Sequence, residues 1–143
     1  MTRLLPAVLL TLVGAVGCSG TATPPPSSPS APPETSLTVS VDPGSGGTST
    51  VATLTCDPVG GDHPDPAAAC RTLAQAGSDA FAPVPRDAMC GQIYGGPATA
   101  TVVGTWQRRP IDASFSLVDS CQIKRWEGLV PVLPDPTSLS PTG

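Results

Sequence analysis

The sequence predicts an α+β domain, in which an antiparallel sheet of about five strands packs with one or two helices and carries two disulfides. Several short segments alternate apolar with polar residues, which is typical of strands with one buried face. One segment has both helix start and helix stop residues. The chain of 143 residues contains 5 cysteines, which suits a small exported domain with a limited core.

Two strands are predicted before residue 57. The segment SLTVSV places Leu37, Val39 and Val41 on one face, the pattern of a half-buried strand. The turn-forming segment DPGSGG follows it. The segment STVATLTC then predicts a second strand that ends at Cys56.

A helix is predicted in the segment GDHPDPAAACRTLAQAG. Asp65 can cap its first turn, Pro66 suits the first helical position and Gly77 suits the exit. Cys70 and Leu73 then lie on one face of the helix.

A hairpin is predicted after residue 97. The segment ATATVVGTWQ alternates, RRP turns the chain, and IDASFSLV returns. Trp106 and Trp126 are interpreted as packing residues, and Arg108 and Arg109 as an exposed turn. An apolar piece at residues 126–130 is expected to form a further edge strand. The residues expected to face inward in the hairpin are Ala98, Ala100, Val102, Trp106, Ile111, Ala113, Phe115 and Leu117.

Both ends of the chain differ from the middle. Arg3 and the apolar run after it predict an export signal over residues 1–17, too short to span a membrane. The segment AVGC resembles the bacterial lipobox, which makes Cys18 the expected lipidation site. Residues 18–35 are rich in Pro, Ser and Thr and predict an extended linker. A folded domain is expected over residues 36–130, and a disordered tail over residues 131–143.

Charge and motifs exclude several classes of function. The chain has 7 basic and 11 acidic residues and no basic stripe, so nucleic acid is not an expected partner. His63 is the only histidine, and no nucleophile-elbow motif accompanies it. We interpret His63 as structural and expect neither an enzyme nor a cofactor. The cysteines lack the paired close spacing of a zinc site, so no metal is expected.

The odd number of cysteines requires one without a disulfide partner in the domain, and lipidation of Cys18 supplies it. The remaining four, Cys56, Cys70, Cys90 and Cys121, permit three connectivities, which spacing does not decide. Proximity along the chain favours Cys56 with Cys70 and Cys90 with Cys121.

Four segments in order, LTCDPVGGDHPDPAAAC, MCGQIYGGP, VVGTWQRR and FSLVDSC, resemble the Streptomyces subtilisin inhibitor family over roughly residues 37–121. The resemblance implies the sheet, the helices, the same two disulfides and often a homodimer. It also implies a partner, a subtilisin-like serine protease, and a loop that binds it like a substrate.

By position in the family, the scissile bond is Gln92–Ile93. The resemblance gives Met89, Cys90 and Gly91 to the side before Gln92, and Tyr94 to the side after Ile93. Gln92 differs from the methionine or basic residue frequent in the family. The loop glycines Gly91, Gly95 and Gly96 predict extra conformational freedom.

Two readings of this loop remain open from the sequence. The first is an inhibitor, either lipid-anchored at the outer face of the cell membrane or secreted. The second is an anchored interaction module that keeps the fold but binds an unrelated partner. Met89 also has an alternative role as a packing residue at the foot of the loop.

Overall fold

The computed structural model describes residues 31–139, together with residues 20, 23–27 and 29. The folded part lies within the compact unit Ala31–Gly143, and the α+β class is confirmed. Its strands are β1 (Thr35–Asp42), β2 (Thr50–Cys56), β3 (Thr99–Trp106) and β4 (Arg109–Ser116). Its helices are α1 (Pro66–Ala76) and α2 (Ser120–Glu127), with short 3-10 turns at Ser78–Phe81 and Pro136–Leu139.

The sheet is antiparallel, with the strand order β2-β1-β3-β4. The expectation of about five strands is wrong by one, since the sheet has four strands among the described residues. The segment expected as the fifth strand, residues 126–130, instead forms the end of α2 and the turn after it. The reason is the cap at the helix start, where the Gln122 N–H donates to the Asp119 carboxylate at 2.9 Å.

The alternation predicted from sequence sets the two faces of the sheet. The face turned toward the helices is buried and apolar, whereas the opposite face is mostly threonine and serine. Trp106 is buried with its ring 5.9 Å from that of Phe81. Residues of the buried face include Leu37, Val39, Val41, Leu54, Ala100, Val102, Ala113 and Phe115.

The hairpin turn lies one residue earlier than RRP suggested. Trp106 pairs with Arg109, so Gln107 and Arg108 form the two-residue connection. Both have positive φ, 46° and 64°, the left-handed backbone that two-residue hairpins of this kind require. Arg108 is exposed as expected and forms a surface ion pair with Glu34 at 3.0 Å.

Helix α1 begins and ends where the sequence predicts. The Ala68 N–H donates to the Asp65 carboxylate at 3.0 Å, and the Gly77 N–H closes the last turn. Cys56 and Cys70 form a disulfide with a Cα–Cα distance of 5.8 Å, so the helix is covalently joined to the end of β2.

His63 holds the chain in place before α1. Its Nδ1 accepts from the Asp65 N–H at 3.1 Å, and its Nε2 lies 3.1 Å from the Val132 carbonyl oxygen. The ring is buried and both nitrogens are engaged, so His63 is structural and is not free to act as a general base. Next to it, hydrogen bonds from the Thr53 backbone and hydroxyl hold the pKa of Asp62 below its usual value.

The domain extends past residue 130, the boundary predicted from sequence. Val132 and Leu133 are buried in the core. The indole N–H of Trp126, itself fully buried, donates to the Pro134 carbonyl oxygen at 2.7 Å. Residues 131–134 therefore close the core beside α2 and are not part of a disordered tail. Residues 140–143 lie outside the described residues.

Candidate functional site

Residues 89–97 form an irregular loop between the 82–88 segment and β3. As whole residues, Met89 is 99% exposed, Ile93 61% and Tyr94 67%. Large apolar side chains are usually buried, so three of them displayed on one loop indicate a binding surface. The alternative role of Met89 as a packing residue is wrong, because its side chain contacts no core.

A disulfide joins this loop to α2. Cys90 bonds to Cys121, with a Cα–Cα distance of 5.4 Å. Cys121 lies in the first turn of α2, which packs against β4. The position of the loop therefore depends on the core beneath that helix.

A pair of hydrogen bonds holds Gly91 to the start of the same helix. The Gly91 N–H donates to Ser120 Oγ at 2.7 Å, and the Ser120 N–H donates to the Gly91 carbonyl at 3.0 Å. The same carbonyl accepts from the Ile93 N–H at 2.9 Å. This last bond closes a three-residue γ-turn, which leaves Gln92 exposed at its apex.

A third attachment lies on the other side of Gln92. The Gly95 N–H donates to the Leu117 carbonyl at 2.7 Å. A Cβ at Gly95 would lie 3.1 Å from Ile123 Cδ1 and 3.2 Å from Leu117 Cβ, so a larger residue would force this contact apart. The backbone is thus attached on both sides of the Gln92–Ile93 bond.

The loop glycines were expected to give the backbone extra conformational freedom, but in the structure they have other roles. Gly91 and Gly95 lie close to Ser120 and Ile123, and neither has positive φ. Only Gly96 uses left-handed backbone, with φ of 128°. Two of the three glycines therefore permit close approach to the scaffold, where hydrogen bonds restrict them.

Sequence reasoning missed the residues that support the loop from below. Ser120 and Leu117 bind its backbone, and Val118 is a further exposed apolar residue. Val118 and Asp119 line an open groove of about 460 Å³ with Cys90, Gln92 and Tyr94. The segment VDSC contains a helix-cap signal at Asp119 that could have placed Ser120 beside the loop through Cys121.

One group in the described residues has the composition of a metal site. Cys90, Asp119 and Cys121 bring their ligand atoms within 4.8 Å of one another. The two sulfurs are bonded to each other, and the Asp119 carboxylate caps α2. These residues do not fit a metal ion, which needs free thiolates.

The predictions of lipidation and of membrane attachment concern residues outside the loop. Cys18, the expected lipidation site, lies outside the described residues. Within the described residues, no helix has the length and apolar character needed to cross a membrane.

A disulfide-bonded domain that presents an exposed, anchored loop defines a small binding protein. The chain belongs to the family described as "Subtilisin inhibitor-like", whose sequence profile matches residues 31–117. The family predicted from sequence is confirmed. Membership also agrees with the expectation that the chain is not an enzyme, since the relatives are named as inhibitors.

Two curated proteins are similar in sequence to this chain. "Subtilisin inhibitor-like protein 1" from Streptomyces cacaoi is 41% identical over 78 residues, covering 51% of this chain and 69% of that protein. "Subtilase-type protease inhibitor" from Streptomyces fradiae is 37% identical over 81 residues, covering 54% of this chain and 56% of that protein.

Proposed function

We propose that this protein inhibits subtilisin-like serine proteases through residues 89–94, with Gln92–Ile93 as the scissile bond. The observation that carries the proposal is the attachment of the backbone on both sides of that bond, by Gly91 and by Gly95. The names of the relatives, a subtilisin inhibitor-like protein and a subtilase-type protease inhibitor, support the class of partner.

The exposed side chains would enter successive pockets of the protease. Met89 suits a large apolar pocket four residues before the bond, and Gly91 suits a narrow site two residues before it. Gln92 occupies the S1 pocket, which receives the residue whose carbonyl is attacked. Ile93 and Tyr94 lie after the bond. A loop already held in its binding shape loses little conformational entropy when it docks.

Attachment on both sides explains how a bound substrate becomes an inhibitor. The protease serine attacks the Gln92 carbonyl carbon, and the Ile93 nitrogen leaves as an amine with the proton from the catalytic histidine. The disulfide and the Gly91 hydrogen bonds hold the acyl side. The Gly95 hydrogen bond and the direct continuation of the chain into β3 hold the amine side. The amine stays next to the ester and can attack it again, which restores the peptide bond and releases the serine.

Replacing Gln92 with methionine should tighten inhibition of subtilisin. An unpaired amide in an apolar S1 pocket costs about 1–3 kcal/mol, so we expect an inhibition constant lower by about 5- to 150-fold. The measurement is titration of subtilisin with each form, followed by sequencing of any slowly cut bond. The matched control is Gln75→Met on the exposed side of α1, which should leave inhibition unchanged.

The proposal fails if Gln92→Met and the unaltered protein give the same inhibition constant and no cut appears at Gln92–Ile93. In that case the interaction-module alternative takes precedence. Trypsin should be inhibited little by either form, because neither glutamine nor methionine supplies the cation that its pocket requires.

Export and lipidation are the corresponding proposals for the N-terminus. Two disulfides fit an oxidising compartment outside the cytoplasm, and the lipobox-like AVGC at residues 15–18 supports lipidation of Cys18. The homodimer expected from the resemblance stays a prediction.

The Cys18→Ala variant should lose lipid attachment and remain unprocessed at the lipoprotein site. Membrane fractionation of the host and the mass of the mature protein measure this outcome. Cys18→Ser, which also lacks the thiol, should behave identically. A mature unaltered protein that is found in the soluble fraction, with no mass added at its first residue, would contradict lipidation.

A further inference from the structure

We propose that the S1 pocket of the natural target recognises a neutral carboxamide by hydrogen bonds. This inference rests on the proposed function, because it takes Gln92 as the residue that enters the pocket. It adds the chemical class of the protease: one that cleaves after glutamine, as distinct from one with an apolar, acidic or basic S1 pocket.

The first observation is the state of the Gln92 side chain. It is exposed at the apex of the γ-turn, and within the described residues its amide forms no hydrogen bond. A carboxamide has two N–H donors and a carbonyl acceptor. All three lose water when the side chain enters a pocket, and an apolar pocket replaces none of the lost hydrogen bonds.

The second observation is the charge around Gln92. Residues 89–97 contain no charged side chain. Among the described residues that line the groove beside Gln92, Asp119 is ionisable, as is the phenol of Tyr94. The Asp119 carboxylate accepts the capping hydrogen bond of α2. A trypsin-like pocket, with its buried carboxylate, would find no cation. A cationic pocket for glutamate would find no carboxylate at Gln92.

The third observation is that the other exposed residues of the loop are apolar and therefore distinguish less sharply between proteases than Gln92 does. Met89, Ile93 and Tyr94 are exposed and mainly apolar, so they suit pockets that many serine proteases share. A hydrophobic contact tolerates small changes in the partner, whereas a site built to hydrogen-bond a polar group strongly rejects an analogue that lacks the group. Gln92 is therefore the position at which this loop can select among proteases.

The test compares three forms of the protein against two enzymes. The forms are the unaltered protein, Gln92→Met and Gln92→Glu, with Gln75→Met as the control. The enzymes are subtilisin and a serine protease that cleaves after glutamine. The readouts are the inhibition constant of each pair and the position of any slow cut.

On the glutamine-cleaving protease, the unaltered protein should bind about 100-fold more tightly than either Gln92 variant, since each variant leaves pocket groups unpaired. On subtilisin the order should reverse, with Gln92→Met the tightest. The inference is overturned if the glutamine-cleaving protease binds the unaltered protein no more tightly than Gln92→Met. It is also overturned if subtilisin binds these two forms equally well.

These outcomes separate the inference from the proposed function. Strong inhibition of subtilisin by Gln92→Met, with a cut at residues 92–93, supports the reactive loop even when the carboxamide pocket is excluded. Absence of inhibition and of cleavage for every form and both enzymes overturns the proposed function itself.

Discussion

Replacing Cys90 and Cys121 together with alanine is expected to turn the domain from a persistent inhibitor into a substrate. The disulfide between them is the covalent link that holds the acyl side of the Gln92–Ile93 bond to α2. Without it, the hydrogen bonds of Gly91 to Ser120 are the links to α2 that remain on that side among the described residues. Each such hydrogen bond contributes about 1 kcal/mol net. The chain before the loop, residues 82–88, is irregular, whereas the chain after it enters β3, so we expect the acyl end to move away once the disulfide is removed.

The expected result is complete hydrolysis at Gln92–Ile93 under conditions in which the unaltered protein stays mostly intact. Holding two reacting groups together can accelerate their reaction by many orders of magnitude, so losing that restraint should raise net hydrolysis by about 100-fold or more. Mass spectrometry of the inhibitor during incubation with catalytic subtilisin measures the rate and locates the cut.

The Cys56→Ala, Cys70→Ala protein is the matched control. The disulfide that this control removes joins residues 14 positions apart in sequence. The Cys90–Cys121 disulfide joins residues 31 positions apart. Chain-entropy arguments give both bridges a similar contribution, about 3–4 kcal/mol. The two variants should therefore lose comparable stability, and the comparison is made at a temperature where circular dichroism shows both folded. Equal hydrolysis of the two variants would mean that general instability, and not release of the loop, causes the cleavage.

The helix and the strands that were predicted correctly are those whose sequence patterns act on neighbouring residues. Asp65, Pro66 and Gly77 define α1 because caps and a proline act on the backbone next to them. The alternating strands around Val39 and Val102 bury the expected faces, since a two-residue period has only one consistent orientation toward a core.

A second helix was allowed by the predicted fold, but its position at α2 was not predicted, because the local signals there are few and the segment is short. It has eight residues, about two turns, and the segment 126–130, which contains Trp126, Leu129 and Val130, was interpreted as a strand. Ile123 and Trp126 are three residues apart, which is a helical spacing, and Asp119 supplies the cap. In so short a segment, the tertiary contact with β4 decides between the two structures.

The support of the loop could be predicted only in part. The pairing of Cys90 with Cys121 was favoured by proximity along the chain and implied by the family resemblance, although the cysteine count alone left three connectivities open. Ser120 binds Gly91 across 29 positions of sequence, and a single serine hydroxyl has no pattern that indicates a distant partner. Its role depends on the disulfide and the cap of α2, which place it beside the loop.

Substituting Leu133 with alanine is expected to destabilise the domain by about 2–5 kcal/mol, the usual cost of truncating a fully buried leucine. Leu133 is 0% exposed, although it lies in a proline-rich segment that the sequence suggested was a disordered tail. Its N–H donates to the Leu129 carbonyl at 3.0 Å, and the neighbouring Pro134 carbonyl accepts from the Trp126 indole. These contacts make residues 131–134 part of the core.

Urea unfolding, followed by tryptophan fluorescence, measures the free energy of unfolding of each form. Leu139→Ala is the control, because that leucine lies in the last 3-10 turn and is only partly buried. We expect it to cost less than Leu133→Ala. The inhibition constant of folded Leu133→Ala should stay close to that of the unaltered protein, because Leu133 lies in the core and, among the described residues, forms no hydrogen bond with residues 89–94. A loss of less than about 0.5 kcal/mol, typical of surface positions, would show that the chain after residue 130 does not contribute to folding and would restore the predicted tail.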